Sequence, residues 1–497
     1  MLSKGWLKLR CGNSIVCLLS FSMLLPQVYA LPSLQGPAIQ FSEAKKLVTE
    51  GKYAEAEASV RALMTRQPSP DGFDLLGYIY EQQSKLDQAE EAYGQALKLN
   101  ATWRSSKVRL GIVYAKKGKY ADCIVVLEKL PDDIRDNPEA LFYLCRAYLE
   151  GGNKVKALET AAMVERLGEK DPGALLSVGR LLASKDFYQQ AVPMLKKAVN
   201  HLPKSAEAYY SVAFALFKMR QYDEMSIYLE QAQNLDPTAP RILLLRALSL
   251  LDTGKFSAAK DFIRKARTLK PDDKFAAYLW SRVLIEERDY TEAIKLISDL
   301  IAGGFNDPNA HLSLITAFRR NGEFQKAVNY ALKVAQTFPD NPSAQLRAGL
   351  ELEFLGDFQQ SESFLRKAVA LAANDPETFM TAEFTLATIL VKQGRDAEAV
   401  PLLKDVIRTN PKDVDARVEL ADIDHKTGQY EQAVKILQEA LSFDSRNKRA
   451  HFLLGNVLTR IGKSVEAEQH FRTFQELERS AGGTQSEKPT IYTQSLK

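Results

Sequence analysis

From Gln40 onward one short phrase keeps returning: GKYAEA at residue 51, GKYADC at 118, GKFSAA at 254, GEFQKA at 322 and GQYEQA at 428. The glycines stand on a ruler of about 34 residues, which Ser84, Gly152, Asp186, Arg220, Arg288, Gly356, Gly394 and Gly462 also obey, giving about 13 units. A period of that length marks one supersecondary unit used many times, and such a unit buries its apolar faces only against its neighbours. The one longer step, from Gly356 to Gly394, carries four extra residues within LAANDPETF.

Each unit repeats one internal pattern. A helix of about a dozen residues ends near the ruler position, where a left-handed cap costs least for a residue without Cβ. An aromatic follows two residues later (Tyr53, Tyr120, Tyr222, Phe256, Tyr290), opening a second helix whose small residue comes three further on (Ala56, Ala89, Ala157, Ala259, Ala433). Gly77, Gly111, Gly179, Gly349 and Gly455 precede the turn by seven residues and would let the paired helices approach closely. Prolines at 68, 203, 237, 271, 339 and 411 stop the second helices. The ruler drifts around Lys154, Asp396 and Ser464, where the turns are less clearly marked.

This pattern, in register over about 440 residues, resembles the tetratricopeptide repeat. The resemblance implies an all-α fold: a right-handed superhelical solenoid of about 13 helix-turn-helix units. The first-helix tryptophan typical of the family is replaced by Phe73, Leu141, Leu175, Tyr209 or Leu243, and the last units put Glu383, Arg417 and His451 there, which implies looser packing toward the C-terminus.

In the family, first helices line a concave surface whose residues vary with ligand. The segment YYSVAFALFKMRQY, beginning at Tyr209, carries two apolar faces. Tyr209, Val212, Ala213 and Leu216 take the packing positions, leaving Tyr210, Phe214 and Phe217 toward the groove. Neighbouring units continue that face with Phe142, Arg146 and Leu149, then Arg180, Leu248 and Leu251, then Tyr278, Arg282, Ile285 and Arg319. An aromatic side chain buries about 150–250 Å², so this stripe exceeds what a soluble protein leaves bare. Either a peptide segment lies in the groove with the arginines reading its acidic groups, or superhelical curvature buries the residues between first helices. The lysine and asparagine clamp that some family members use for C-terminal carboxylates is absent, since its positions hold Phe142, Arg146, Tyr210, Phe214, Leu244 and Leu248.

The N-terminus differs in kind. Lys4, Lys8 and Arg10 precede an apolar run from Ser14 to Leu25, and VYA ends at Ala30, as in a secretory signal cleaved before Leu31. A run of about a dozen residues is short of the ~20 that a spanning helix needs, and Cys17 lacks the preceding small residue of a lipobox. The expected organisation is a signal peptide at 1–30, a linker at 31–38, the repeat array at 39–480 and a disordered tail at 481–497. The mature chain would then hold no transmembrane segment and lie outside the cytoplasm, in the periplasm if the cell is a Gram-negative bacterium and secreted otherwise.

Lys and Arg total 66 against 62 Asp and Glu, spread along the whole length, which argues against a nucleic-acid partner. No glycine-rich phosphate loop, nucleophile elbow or HExxH occurs, and the repeats leave no room for a catalytic domain of ~100 residues. His425, His451 and His470 lack cysteine or carboxylate partners at metal-ligand spacing. Cys123 and Cys145 stand at small-residue positions as core residues, with a disulfide between adjacent units the alternative. Asn100 heads a single NAT sequon. The sequence therefore points to an exported, non-enzymatic scaffold without cofactor or metal, binding protein or peptide segments in support of envelope assembly, secretion or polysaccharide export. The alternative is an accessory subunit that holds a glycan or an enzyme in the same groove.

Overall fold

The computed structural model describes residues 41–65, 67–130, 137–167, 171–373 and 375–481. The expected signal peptide, linker and all but the first residue of the tail lie outside these residues. Within them, twenty-six helices form thirteen consecutive pairs, from Ser42–Thr49 with Tyr53–Met64 to Lys448–Arg460 with Ser464–Ala481, and no strand occurs among the described residues. The helices at Lys154–Leu167, Asp396–Thr409 and Ser464–Ala481 form normally where the sequence ruler drifts.

The ruler marks the turn within each pair. All thirteen of its residues have positive φ, the four without glycine being Ser84 at 59°, Asp186 at 65°, Arg220 at 57° and Arg288 at 65°. The turn geometry is thus fixed by the packing of the pair, and glycine only makes it cheaper. First helices are started by side chains: Ser69, Asn137, Asp171, Ser205 and Asn341 each accept the backbone N–H three residues on, and a proline at the first helical position follows four of the five.

Close approach within a pair explains the small residues. A Cβ on Gly77 would lie 2.5 Å from the Tyr93 ring, and one on Gly111 would lie 2.4 Å from Leu127. Ala56, Ala89, Ala157, Ala259 and Ala433 are fully buried on the second helices. Cys123 and Cys145 are buried free thiols, not a disulfide. Burial pushes both up to about 12, and the Cys145 thiol donates to the Ala157 carbonyl at 3.4 Å.

The described residues divide into two compact units, one of those up to Ser249 with Arg264–Lys270, the other of Leu250–Ile263 and those from Pro271 on. Within each unit every helix pair packs on the next. First helices of successive repeats also touch one another, as Pro172–Ser184 does with Pro138–Glu150 and Ala206–Lys218, while second helices touch chiefly the first helices beside them. The first helices therefore form the inner side of each stack.

Candidate binding surface on the first helices

The inner-side residues marked by sequence fall into three groups. Tyr210, Phe214, Phe217, Leu248, Leu251, Tyr278 and Ile285 are buried, with Phe214 the most exposed at 9%. Arg180, Arg282 and Arg319 are half-buried and engaged in ion pairs. Phe142, Arg146 and Leu149 are half-buried on a single helix, Pro138–Glu150.

The aromatic cluster at Tyr210 is closed by its own neighbours. Tyr210 and Phe214 stack with ring centroids 6.3 Å apart, Phe217 meets Tyr222 edge-on at 6.0 Å, and the Arg241 guanidinium lies 5.0 Å over the Tyr210 ring. Burial, ahead of the neighbouring charges, pushes the Tyr210 phenol up to about 12. Within this unit the second face of the Tyr209 segment is thus packed between repeats.

Glu207 organises the polar edge of that cluster. It pairs with Arg180 at 2.9 Å and also with Arg241, so one carboxylate ties together the first helices of three consecutive repeats. Arg282 pairs with Asp252 at 3.0 Å. Arg319 pairs with Glu351 at 3.3 Å and lies 4.7 Å over the Phe354 ring. These arginines are committed to inter-repeat contacts. Glu207 and Arg241 share one register, 34 residues apart, and an acid and a base at that spacing are the sequence signal for such a bridge.

Arg146 differs: among the described residues it forms no ion pair, although it acts electrostatically on the Tyr143 hydroxyl. Phe142 and Tyr143 meet edge-on at 5.1 Å, and Lys116 lies 5.6 Å over the Tyr143 ring while pairing with Glu81 at 2.6 Å. The surface at Phe142, Arg146 and Leu149 therefore combines accessible apolar area with an uncommitted cation.

Among the described residues no group of three or more His, Cys, Asp or Glu is assembled to hold a metal ion, and no helix is long and apolar enough to cross a membrane. His451 and His470 nevertheless meet, Nδ1 to Nδ1 at 2.9 Å, a juxtaposition that reading each histidine alone misses.

Sequence models of the tetratricopeptide repeat match residues 71–102, 278–342, 312–376 and 390–457. A model of the anaphase-promoting complex, cyclosome, subunit 3 matches residues 221–300. The chain carries tetratricopeptide repeats, and its thirteen helix pairs form an all-helical solenoid of that type. It is similar to the TPR repeat-containing protein YpiA of Bacillus subtilis, at 20% identity over 65% of this chain and 83% of that protein. It is also similar to cellulose synthase operon protein C of Pseudomonas fluorescens, at 21% identity over 68% of this chain, although the match takes in only 25% of that protein. Among solved structures, the crystal structure of the APC/C hetero-tetramer Cut9-Hcn1 is 13% identical, covers 88% of this chain and 94% of that chain, and superposes with a TM-score of 0.46.

Proposed function

We propose that this chain is a non-catalytic scaffold that holds a protein segment against the inner side of its first unit, at Phe142, Arg146 and Leu149. The observation that carries this reading is the contrast among the candidate arginines. Arg180, Arg282 and Arg319 are occupied by Glu207, Asp252 and Glu351, whereas Arg146 forms no ion pair among the described residues and stands beside half-exposed apolar side chains. An acidic group flanked by apolar residues on a partner segment fits that chemistry.

The setting we propose is extracytoplasmic. The basic, apolar and small-residue order of residues 1–30 supports export, and fractionation of cells carrying the full chain tests it. Similarity to a protein named for a cellulose synthase operon supports a role beside polysaccharide synthesis or export. The second reading, a glycan held at the same place, rests on the aromatic pair Phe142–Tyr143.

The test is a crosslinking pull-down from the native envelope, comparing wild type with a Phe142→Ser, Arg146→Glu double variant whose melting is unchanged. Loss of a specific protein partner from the folded variant supports the scaffold reading. An unchanged set of partners overturns it. Binding of purified protein to a glycan without any protein partner favours the second reading.

A further inference from the structure

The repeat built from Pro376–Lys392 and Asp396–Thr409 departs from its neighbours in three ways. Its first helix has 17 residues where the preceding and following first helices have 14 and 13. Its second helix contains Pro401, which has no N–H to donate along the helix. Its packing position, which holds Gln345 and Arg417 in the repeats on either side, here holds a carboxylate, Glu383, which is 3% exposed and leaves Oε2 buried with no hydrogen-bond partner among the described residues.

A buried carboxyl without a partner favours its neutral form. The charged groups that act on Glu383 are Asp405, which opposes ionisation, and Arg408, which favours it, both from Asp396–Thr409. Arg408 is 74% exposed and already pairs with Asp405 at 2.9 Å, so it compensates little. Pro342–Leu355 and Phe358–Leu371 also pack against this first helix, and no titratable group on either acts on Glu383.

We propose that Glu383 makes this repeat a proton-controlled weak point of the second unit: with the carboxyl neutral the helix pair is closed, and with it ionised the pair opens locally. Units that stack only on their neighbours open first where one of them is weakest. Burial, followed by Asp405, raises the Glu383 carboxyl to about 7, so the change falls near neutral pH. Because the folded pKa is raised, the stabilising contribution is complete at acid pH and is lost as pH rises through about 7. By proton linkage the local opening constant at pH 8 should exceed that at pH 6 by about tenfold.

Hydrogen exchange of the full chain at the two pH values, corrected for intrinsic rates, reads this directly for residues 376–409. The expected result is about tenfold greater opening at the higher pH in wild type, and no such difference there in Glu383→Gln, with the other repeats unaltered by the substitution. Equal opening at both pH values in wild type overturns the proposal, as does a pH dependence that persists in Glu383→Gln. Should Glu383→Gln fold poorly, Glu383→Leu serves in its place, and the wild-type comparison stands without either variant.

Discussion

The same register is filled differently along the chain. Eleven residues before the turn, Phe73, Leu141, Leu175, Tyr209 and Leu243 supply apolar bulk, with Gln40 and Lys107 the polar exceptions. From residue 311 on, the register holds His311, Gln345, Glu383, Arg417 and His451, all buried at 8% or less. These residues are held rather than loosely packed. Gln345 donates to the carbonyls of Ala335 and Pro339 at 2.8 and 3.2 Å, and His311 bonds Tyr330 at 2.7 Å. Arg417 donates to the Asp413 carbonyl at 2.8 Å and lies over Phe443. Looser packing toward the C-terminus, expected from polarity alone, is not found. One architecture accepts apolar or polar contents at this position where most buried polar atoms find partners; among the described residues of this register Glu383 Oε2 and Arg417 Nε find no hydrogen bond, and only Arg417 has an ion-pair partner, Glu439 at 3.9 Å, in compensation.

The largest expected effect lies in the apolar region. Tyr210→Ser, Phe214→Ser and Phe217→Ser together should unfold the first unit, since truncating a buried aromatic costs about 3–5 kcal/mol. Phe142→Ser, on the half-exposed patch, should cost about 1 kcal/mol. Thermal or urea unfolding distinguishes the two, and equal costs would break the division between packed and open inner-side residues.

Exchanging contents between the regions should cost less. Leu175→Gln leaves a buried amide without the carbonyls that serve Gln345, and Gln345→Leu leaves those carbonyls without their donor, so each should lose about 2 kcal/mol. If both are near neutral in urea unfolding, hydrogen bonding at this register is not what matters.

The pH response should differ as well. Burial holds the His311 imidazole below its ordinary range, followed in effect by the Lys333 charge. The folded state therefore binds this proton more weakly than the unfolded chain, and stability is lost as pH falls through the ordinary histidine range. His311→Gln should flatten that acid limb in a melting-against-pH series. The smallest effect is expected for Arg180→Gln, whose half-exposed pair with Glu207 should contribute under about 1 kcal/mol.

Much of the fold is legible in the sequence because turn and close-approach positions repeat. Ser84, Asp186, Arg220 and Arg288 are marked as turns by register without a glycine, and each has positive φ. The inner-side aromatics are less legible. Sequence places Tyr210 and Phe142 at the same register, yet one is 3% exposed and the other half-buried. The difference comes from what the next repeat brings across, here Arg241 over Tyr210 and the Glu207 bridge. Pairs such as His451 with His470 depend in the same way on approach between helices, which periodicity alone does not specify.

The protein partner is proposed to sit at the open patch of the first unit and not at the packed aromatics. A photo-crosslinking residue placed at Phe142, with a control at Val125, 53% exposed on Tyr120–Glu128, tests it in cells that express the full chain. The expected result is a discrete protein adduct at residue 142, lost when Arg146→Glu is added, and no such adduct at 125. An adduct at 125 alone, or one at 142 indifferent to Arg146, would contradict it.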